Sequence, residues 1–202
     1  MNSGSLILVS APSGAGKTSL VRSVLEADSH VVVCVSHTTR TQRKGERNGE
    51  NYYFVDDPQF DQMIKDGEFL EHADVFGKRY GSSRNEVDRC RAEGKDVILE
   101  IDWQGADQVR RILPDAVSVF ILPPSMAELE SRLRGRGQDS QDAISTRLAE
   151  AETDIAQAKR YDYLVVNEDF KRAHTELLSI VQSARLRQER QSKRAAVAKL
   201  LG

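Results

Sequence analysis

The ten residues SAPSGAGKTS, from Ser10 to Ser19, constrain the fold more than any other part of this chain. They follow an apolar run at 5–10 and precede a helical pattern at 18–27. A glycine-rich turn ending in Gly-Lys-Thr between a strand and a helix is typical of a phosphate loop, where backbone N–H groups and a helix N-terminus converge on a phosphate. The sequence therefore predicts a purine nucleoside triphosphate site on a strand–loop–helix unit.

The residues of this loop have distinct expected contacts with the nucleotide. Gly14 and Gly16 shape the turn. The Lys17 ammonium reaches the β- and γ-phosphates, and the Thr18 hydroxyl ligates Mg²⁺. Ala11 stands where the pattern has its first glycine, and alanine is accepted there if φ is negative and a methyl has room. The predicted ATP-binding loop is Ala11, Pro12, Ser13, Gly14, Ala15, Gly16, Lys17 and Thr18.

Short, uniformly apolar runs alternate with helical patterns along the 202 residues. Runs that are apolar throughout indicate parallel strands buried on both faces of a sheet. We therefore expect an α/β fold with a P-loop NTPase core, in which helices flank a five-stranded parallel sheet. The predicted strands are residues 5–10, 30–36, 96–102, 116–122 and 163–166.

Two segments interrupt this alternation. Residues 37–82 are polar, with short strand candidates and turn signals, and this predicts an inserted lobe with some antiparallel sheet. The stretch RGRGQDS at 134–140 mixes glycine with arginine and predicts a mobile flap. We expect an inserted lobe of 37–82, a lid of 125–147, and a core made of 1–36, 83–124 and 148–202.

Local signals place several helix ends. Asp57 before Pro58 predicts an N-cap followed by proline at the first helical position, and Gly67 marks the end of that helix. Ser83 and Ser125 are each followed three residues later by glutamate, which predicts two capping boxes.

The charge balance favours small anionic ligands over a polymer. The formal net charge is -2, from 29 basic and 31 acidic residues, which argues against a general affinity for nucleic acid. Two basic stretches, TTRTQRK and RLRGR, stand out locally. We therefore expect no nucleic-acid partner.

The cysteines and the apolar runs bear on the cellular compartment. Cys34 and Cys90 lie outside any CxxC or metal-type cluster, which favours a reduced compartment. The N-terminus lacks the pattern of a signal peptide, and no apolar run approaches the roughly 20 residues of a membrane span. We expect a cytoplasmic protein with no membrane partner.

The inserted lobe carries a second candidate anion site. Arg40 and Arg43 lie three residues apart, and Tyr52 and Tyr80 follow them in the lobe. Guanidinium forks and phenolic hydroxyls together form a good receptor for a monophosphate dianion.

Five stretches resemble the guanylate kinases, and in particular the bacterial enzymes of this P-loop nucleoside monophosphate kinase family. The resemblance extends over nearly the whole chain and includes the alanine at position 11. It implies phosphoryl transfer from ATP, with Mg²⁺, to GMP, giving ADP and GDP. The stretches are SHTTRTQRKGERNGENYYFV (36–55), FLEHADVFGKRYGSS (69–83), ILEIDWQG (98–105), LRGRGQDS (133–140) and YLVVN (163–167).

The resemblance also implies a GMP site in the inserted lobe. It gives the phosphate to Arg40, Arg43, Tyr52 and Tyr80, and the guanine base to Ser36, Glu71 and Ser82. The chemistry agrees, because a carboxylate can accept from guanine N1–H and N2–H₂ together, and hydroxyls can serve O6 and N7. Adenine would leave such a carboxylate unpaired.

Two carboxylates at the end of the third apolar run are further candidates. Glu100 and Asp102 are two residues apart and therefore on one face of a strand, beside the expected loop. A structural role and a functional one are about equally expected for Glu100, and Asp102 is the preferred functional residue. The resemblance places Asp102 close to GMP. It leaves open whether Asp102 mainly contacts the base or the metal.

The resemblance further identifies lid arginines and an adenine neighbour. Arg132, Arg136 and Arg147 are expected to neutralise the transferring group as the lid closes, together with Lys17. Asn167 is expected near the adenine of ATP.

Two alternatives remain at this stage. A related P-loop kinase could phosphorylate a ribose bisphosphate, but would not need the base-reading set. A catalytically silent module could bind phosphopeptides, but should have lost the loop from Gly14 to Thr18. The basic C-terminal helix is expected to be solvated, with a subunit contact, and hence a homo-oligomer, left open.

Overall fold

The computed structural model describes residues 3–75, 77–135 and 141–201. The strands are β1 (Leu6–Ser10), β2 (Val31–Val33), β3 (His37–Thr38), β4 (Tyr53–Phe54), β5 (Phe69–Val75), β6 (Lys78–Ser83), β7 (Asp96–Glu100), β8 (Val117–Leu122) and β9 (Tyr163–Val166). The helices are α1 (Lys17–Ala27), α2 (Asp57–Lys65), α3 (Arg84–Ala92), α4 (Trp103–Ile112), α5 (Met126–Gly135), α6 (Gln141–Ala156), α7 (Phe170–Arg185), α8 (Gln188–Gln191) and α9 (Ala195–Leu201).

The central sheet has the order β2-β7-β1-β8-β9 within the described residues, and all its strand pairs are parallel. This confirms the predicted α/β fold with a five-stranded parallel sheet. Strand β1 lies at the centre, with Leu8 paired to Leu99 of β7 and to Ser118 of β8. The carboxyl ends of the strands share one edge, where ligands bind in open α/β sheets.

Both faces of the sheet are covered, which explains why β1 is apolar throughout. Ile7 and Val9 belong to a buried cluster with residues of α1 and α7, whereas Leu6 and Leu8 belong to a cluster with residues of α3 and α4. Successive side chains of a strand point to opposite faces, so each face needs its own apolar set. Val97 and Leu99 of β7 join the second cluster in the same way.

A second sheet, in the order β4-β3-β6-β5, forms within the predicted inserted lobe. The pairs β5–β6 and β3–β6 are antiparallel, as predicted, and β3 pairs with β4 in parallel. The predicted strand at 30–36 is shorter in the structure, because β2 ends at Val33 and the chain then crosses to the second sheet. Phe60 of α2 packs on Phe69 of β5, with ring centroids 4.6 Å apart.

The helix ends agree with the sequence except at α2. Asp56, rather than Asp57, is the N-cap, because its carboxylate accepts from Gln59 N at 2.8 Å and Gln59 Oε1 accepts from Asp56 N at 3.2 Å. Proline is therefore the second helical residue, which the first helical turn also tolerates because its N–H groups lack partners within the helix. The predicted caps at Ser83 and Ser125 accept from the N–H groups of Glu86 and Glu128.

The predicted flap is described only at its beginning. Arg134 and Gly135 are the last residues of α5, so the helix continues into the stretch expected to be irregular. The remaining flap residues, 136–140, lie outside the described residues. Among the helices of the described ranges, none combines the length and the hydropathy that a membrane crossing requires.

Candidate active site

The phosphate loop joins β1 to α1 at the carboxyl edge of the central sheet. Gly14 and Gly16 both have φ of 95°, a backbone conformation that residues other than glycine rarely adopt. A Cβ at Gly16 would lie 2.3 Å from Nδ2 of Asn167. Both glycines are therefore required by the backbone, and Gly16 is also required by a close contact.

Asn167 holds the loop from the end of the sheet. The residue is buried, and its side-chain N–H donates to the Ala15 carbonyl at 2.7 Å. The sequence analysis expected Asn167 near the adenine of ATP. The structure shows its contact with the backbone of the phosphate loop, and the position near adenine stays a prediction.

Ala11 occupies the position at which the loop pattern has its first glycine. It is half-buried and packs against the apolar cluster that contains Ile7, Val9 and Ala15. The methyl group therefore has room, as the loop pattern required.

The first two residues of α1 face the end of β7. Lys17 Nζ donates to the Ile101 carbonyl at 3.4 Å, and Thr18 Oγ1 donates to Glu100 Oε2 at 2.9 Å. Glu100, the less favoured of the two carboxylates, is thus the one in contact with the predicted metal ligand. Asp102 instead caps α4, with Oδ1 accepting from Gly105 N at 2.7 Å.

The three residues predicted to read a guanine base form one chain of polar contacts. Ser82 Oγ donates to Glu71 Oε1 at 2.6 Å, and the Ser36 and Ser82 hydroxyl oxygens are 3.4 Å apart. Glu71 is only 4% exposed. Strands β5 and β6 position two of these residues directly opposite each other, since Glu71 pairs with Ser82 in the antiparallel register.

The Glu71 carboxylate also lies against the first turn of α4. A Cβ on Gly105 would be 2.5 Å from Glu71 Oε2 and 3.3 Å from Asp102 Oδ1. Only glycine at this position lets the carboxylate approach the helix so closely. Burial raises the pKa of Glu71 to about 7, while the hydrogen bond from Ser82 acts in the opposite direction.

Three of the four residues predicted to hold a phosphate come together in the inserted lobe. The rings of Tyr52 and Tyr80 meet edge to face at 5.8 Å, and the Arg40 guanidinium lies 5.3 Å from the centre of the Tyr52 ring. Burial raises the pKa of Tyr52, with smaller contributions from Tyr80 and Glu100. Tyr52 therefore lies within electrostatic range of the carboxylate that contacts Thr18.

Glu46, which the sequence analysis missed, holds Arg40 in place. Its carboxylate accepts from Arg40 Nη1 at 3.0 Å and from Nη2 at 2.7 Å, and also from Arg43 N at 2.7 Å. This pair lowers the pKa of Glu46 and raises that of Arg40, because each charge stabilises the other. The side chain of Arg43, the fourth predicted phosphate ligand, is exposed. The sequence signal was a lone glutamate three residues after Arg43.

Two of the three predicted lid arginines lie within the described residues. Arg132 lies on α5, where Nε donates to Glu128 at 2.9 Å and Nη2 donates to the Asn167 carbonyl at 3.0 Å. Arg147 is half-buried on α6. Arg136 lies outside the described residues.

An open cavity of about 380 Å³ lies between the phosphate loop and α5. Its lining includes predicted residues and others that the sequence analysis did not name. Phe170, the exposed first residue of α7, and Ser19 and Glu168 gave no distinct signal in the sequence. The lining is Gly14, Gly16, Ser19, Arg132, Gly135, Asn167, Glu168 and Phe170.

Asp154 of α6 is a further carboxylate that the sequence analysis missed. Its pKa is raised to about 6, mainly by burial and also by Asp102 and Glu150, while Lys17 acts in the opposite direction. Asp154 therefore shares the electrostatic environment of Lys17 and Asp102. Its position in a long amphipathic helix gave no sequence signal for this placement.

Comparisons with known proteins agree with one another. A family model described as guanylate kinase matches residues 3–184. A guanylate kinase of Thiobacillus denitrificans is 52% identical over 193 residues, covering 96% of this chain and 92% of the relative. One from Escherichia coli is 51% identical over 205 aligned positions, covering 100% and 99%. The crystal structure of a guanylate kinase from Anaplasma phagocytophilum has a TM-score of 0.78 at 34% identity, covering 94% of this chain and 90% of that one.

The buried Glu71 should make stability depend on pH. Its pKa of about 7 in the folded protein exceeds the usual 4.5, so the folded state keeps a proton that the unfolded state has lost, and stability falls as pH rises from about 4.5 to 7. Replacing Glu71 by Gln removes this dependence. Relative to the unsubstituted protein, the variant should gain about 2 kcal/mol in free energy of unfolding between pH 5 and pH 8.

Urea unfolding of the nucleotide-free protein at several pH values measures this difference. The contribution of Asp154 is present in both proteins and cancels in the comparison. A constant difference in the free energy of unfolding across this range would show that Glu71 is ionised throughout.

Proposed function

The chain belongs to the guanylate kinase family and is an enzyme that phosphorylates GMP; we propose which residues carry out the transfer from ATP. The γ-phosphoryl group of ATP passes to GMP, and ADP and GDP are formed. One continuous set of contacts supports the assignment of residues. Lys17 donates to the carbonyl of Ile101, the next residue caps α4, and Glu71 lies against the first turn of that helix.

Glu71, Ser36 and Ser82 bind the guanine base in this proposal. The Glu71 carboxylate accepts from N1–H and N2–H₂, and the two hydroxyls serve O6 and N7. The burial of Glu71 and its 2.6 Å contact with Ser82 support this role. Adenine lacks the N1–H donor and would leave the buried carboxylate unpaired, so such a site rejects AMP strongly.

The GMP phosphate is bound by the arginines and tyrosines of the inserted lobe. Glu46 keeps the Arg40 guanidinium in one orientation, so less side-chain entropy is lost when the phosphate arrives. Asp102 contributes to the GMP site through the first turn of α4, against which Glu71 packs. The proposed phosphate ligands are Arg40, Arg43, Tyr52 and Tyr80.

The loop from Ala11 to Thr18 holds the phosphates of ATP. Asn167 stabilises this loop through the hydrogen bond that it donates to the Ala15 carbonyl. Little covalent chemistry falls to protein groups in phosphoryl transfer, so positioning and charge stabilisation dominate. Closure of a lid formed by 125–147 over the core and the GMP-binding lobe excludes water, which would compete as acceptor. The cations proposed to stabilise the transferring group are Lys17, Arg132, Arg136 and Arg147.

Thr18 and Glu100 fit a magnesium ion that arrives with ATP. Both offer oxygen atoms, 2.9 Å apart, at the start of α1 and the end of β7. Within the described residues no group of three or more acidic, histidine or cysteine side chains could form a complete metal cage, which suits an ion that keeps its waters and substrate oxygens. When bound, the ion would neutralise charge on the β- and γ-phosphates.

We further propose that the enzyme acts on free nucleotides in the cytoplasm, without a nucleic-acid or membrane partner. The net charge of -2 supports this. The formation of a homo-oligomer stays a prediction of the sequence.

An acceptor panel tests this function. With ATP and Mg²⁺, we expect ADP to form rapidly with GMP, and at least about 1,000-fold less efficiently with AMP, dTMP or a ribose bisphosphate. Replacing Lys17 by Ala should lower kcat about 100- to 1,000-fold, because a charge at the transferring phosphate is lost. Coupled ADP detection measures both effects.

The exposed Lys65 of α2 supplies the matched control, since Lys65→Ala should leave kcat unchanged. Circular dichroism checks that each variant is folded. Turnover with a ribose bisphosphate but not with GMP would point to the related sugar-phosphate kinase, and no turnover with any acceptor would point to a binding module.

Glu46 should affect GMP binding more than the chemical step. Glu46→Ala removes the two carboxylate contacts of Arg40 and leaves its hydrogen bond to the Thr41 carbonyl, so we expect KM for GMP to rise about tenfold with kcat at saturating GMP nearly unchanged. Glu50→Ala is the control from the same loop, because Glu50 is exposed and pairs only weakly with Arg47. Equal KM values for the two variants would contradict the orienting role.

A further inference from the structure

A second cavity, of about 280 Å³, lies at the end of the molecule opposite the phosphate loop. Ser5, directly before β1, and Val117, the first residue of β8, line it together with residues of α7 and the segment that follows. The phosphate loop begins after the other end of β1. Five strand residues at about 3.3 Å each separate the two places, roughly 17 Å. The cavity is therefore distinct from the candidate active site.

The lining of this cavity is positively charged. It contains Arg91, Arg187, Arg190 and Lys193, against the two carboxylates Asp115 and Glu189. The formal charge of these described lining residues is thus four positive and two negative. Burial lowers the pKa of Arg190, and so do Arg91 and Arg187, whereas Asp96 and Asp115 raise it. The carboxylates therefore leave an excess of positive charge in the cavity.

Both carboxylates lie toward solvent and pair loosely. The Asp115 side chain is 50% exposed and lies 3.3 Å from Arg91 Nη2, while the Glu189 side chain is 60% exposed and lies 3.8 Å from Arg187 Nη1. The Arg91 side chain, by contrast, is only 12% exposed. A cation that is shielded from water interacts more strongly with an anion that enters the cavity than a solvent-exposed one does.

A buried hydroxyl at the wall of the cavity has no partner among the described residues. Ser5 is 3% exposed, and its Oγ makes no hydrogen bond there. Its backbone N–H, however, donates to Asp96 Oδ1 at 2.6 Å, which fixes the position of the residue. Because the Oγ atom is itself shielded from solvent, Ser5 contributes to the wall of the cavity and not a donor to its contents.

We propose that this cavity binds the phosphate group of a small molecule. A phosphate dianion matches the two excess positive charges, and Arg91 and Arg187 supply N–H donors besides those that donate to the Gly4 and Asp115 carbonyls. The phosphate is either free or carried by a small sugar phosphate. Neither alternative depends on the acceptor proposed for the active site.

Nitrogen-15 NMR titrations test the proposal on the full chain. The active site is first filled with ADP, GMP and Mg²⁺, so that added phosphate cannot occupy it. Inorganic phosphate and ribose 5-phosphate are then titrated separately. We expect saturable shifts of the Ser5 and Val117 amide signals with at least one of them, and binding by ribose 5-phosphate would identify the carried form.

The variant Arg187→Gln with Lys193→Gln should weaken this binding at least tenfold. The matched control, Arg111→Gln with Lys65→Gln, removes two exposed charges elsewhere and should leave it unchanged. Lys193→Gln alone, at an exposed position, should weaken binding about threefold and serves if the double variant does not fold. Shifts that do not saturate, or equal affinities in the cavity and control variants, would overturn the proposal.

Discussion

The contact between the Glu71 carboxylate and the first turn of α4 joins the inserted lobe to the core. It requires glycine at position 105, since a Cβ there would lie 2.5 Å from the carboxylate. Asp102 caps the same turn. The carbonyl of the preceding residue, Ile101, accepts from Lys17 Nζ. Base recognition and the phosphate loop are therefore linked through a few residues at the carboxyl edge of one parallel sheet.

Electrostatic interactions and burial together set the protonation of the carboxylates in this arrangement. Lys17 lowers the pKa values of Glu71, Asp102 and Asp154, while burial raises all of them. A buried carboxylate that lacks enough donors favours its neutral form. In the proposed site guanine supplies two donors to Glu71, so its binding should favour the ionised form. The substrate would then complete the hydrogen bonds of this carboxylate.

Local patterns predicted the parts of this structure that local geometry determines. The loop from Ala11 to Thr18 and the apolar strands depend on neighbouring residues, and the structure forms both, although β2 is shorter than predicted. The sequence analysis placed the N-cap of α2 at Asp57, whereas the structure has it at Asp56. Both aspartates fit the N-cap preference, and only the geometry of the turn selects between them. The contact between Asn167 and Ala15, 152 residues apart, and the proximity of Asp154 to Lys17 arise only when distant elements pack together.

The central claim is that Glu71 reads guanine with its ionised carboxylate, and proton release on GMP binding tests it most directly. Calorimetry at pH 6.5 in two buffers of different ionisation enthalpy counts the protons. With a pKa of about 7 for Glu71 before binding, the unsubstituted protein should release roughly 0.7 proton more than Glu71→Gln. The titration of the GMP phosphate is common to both and cancels. Equal proton release by the two proteins would contradict the account.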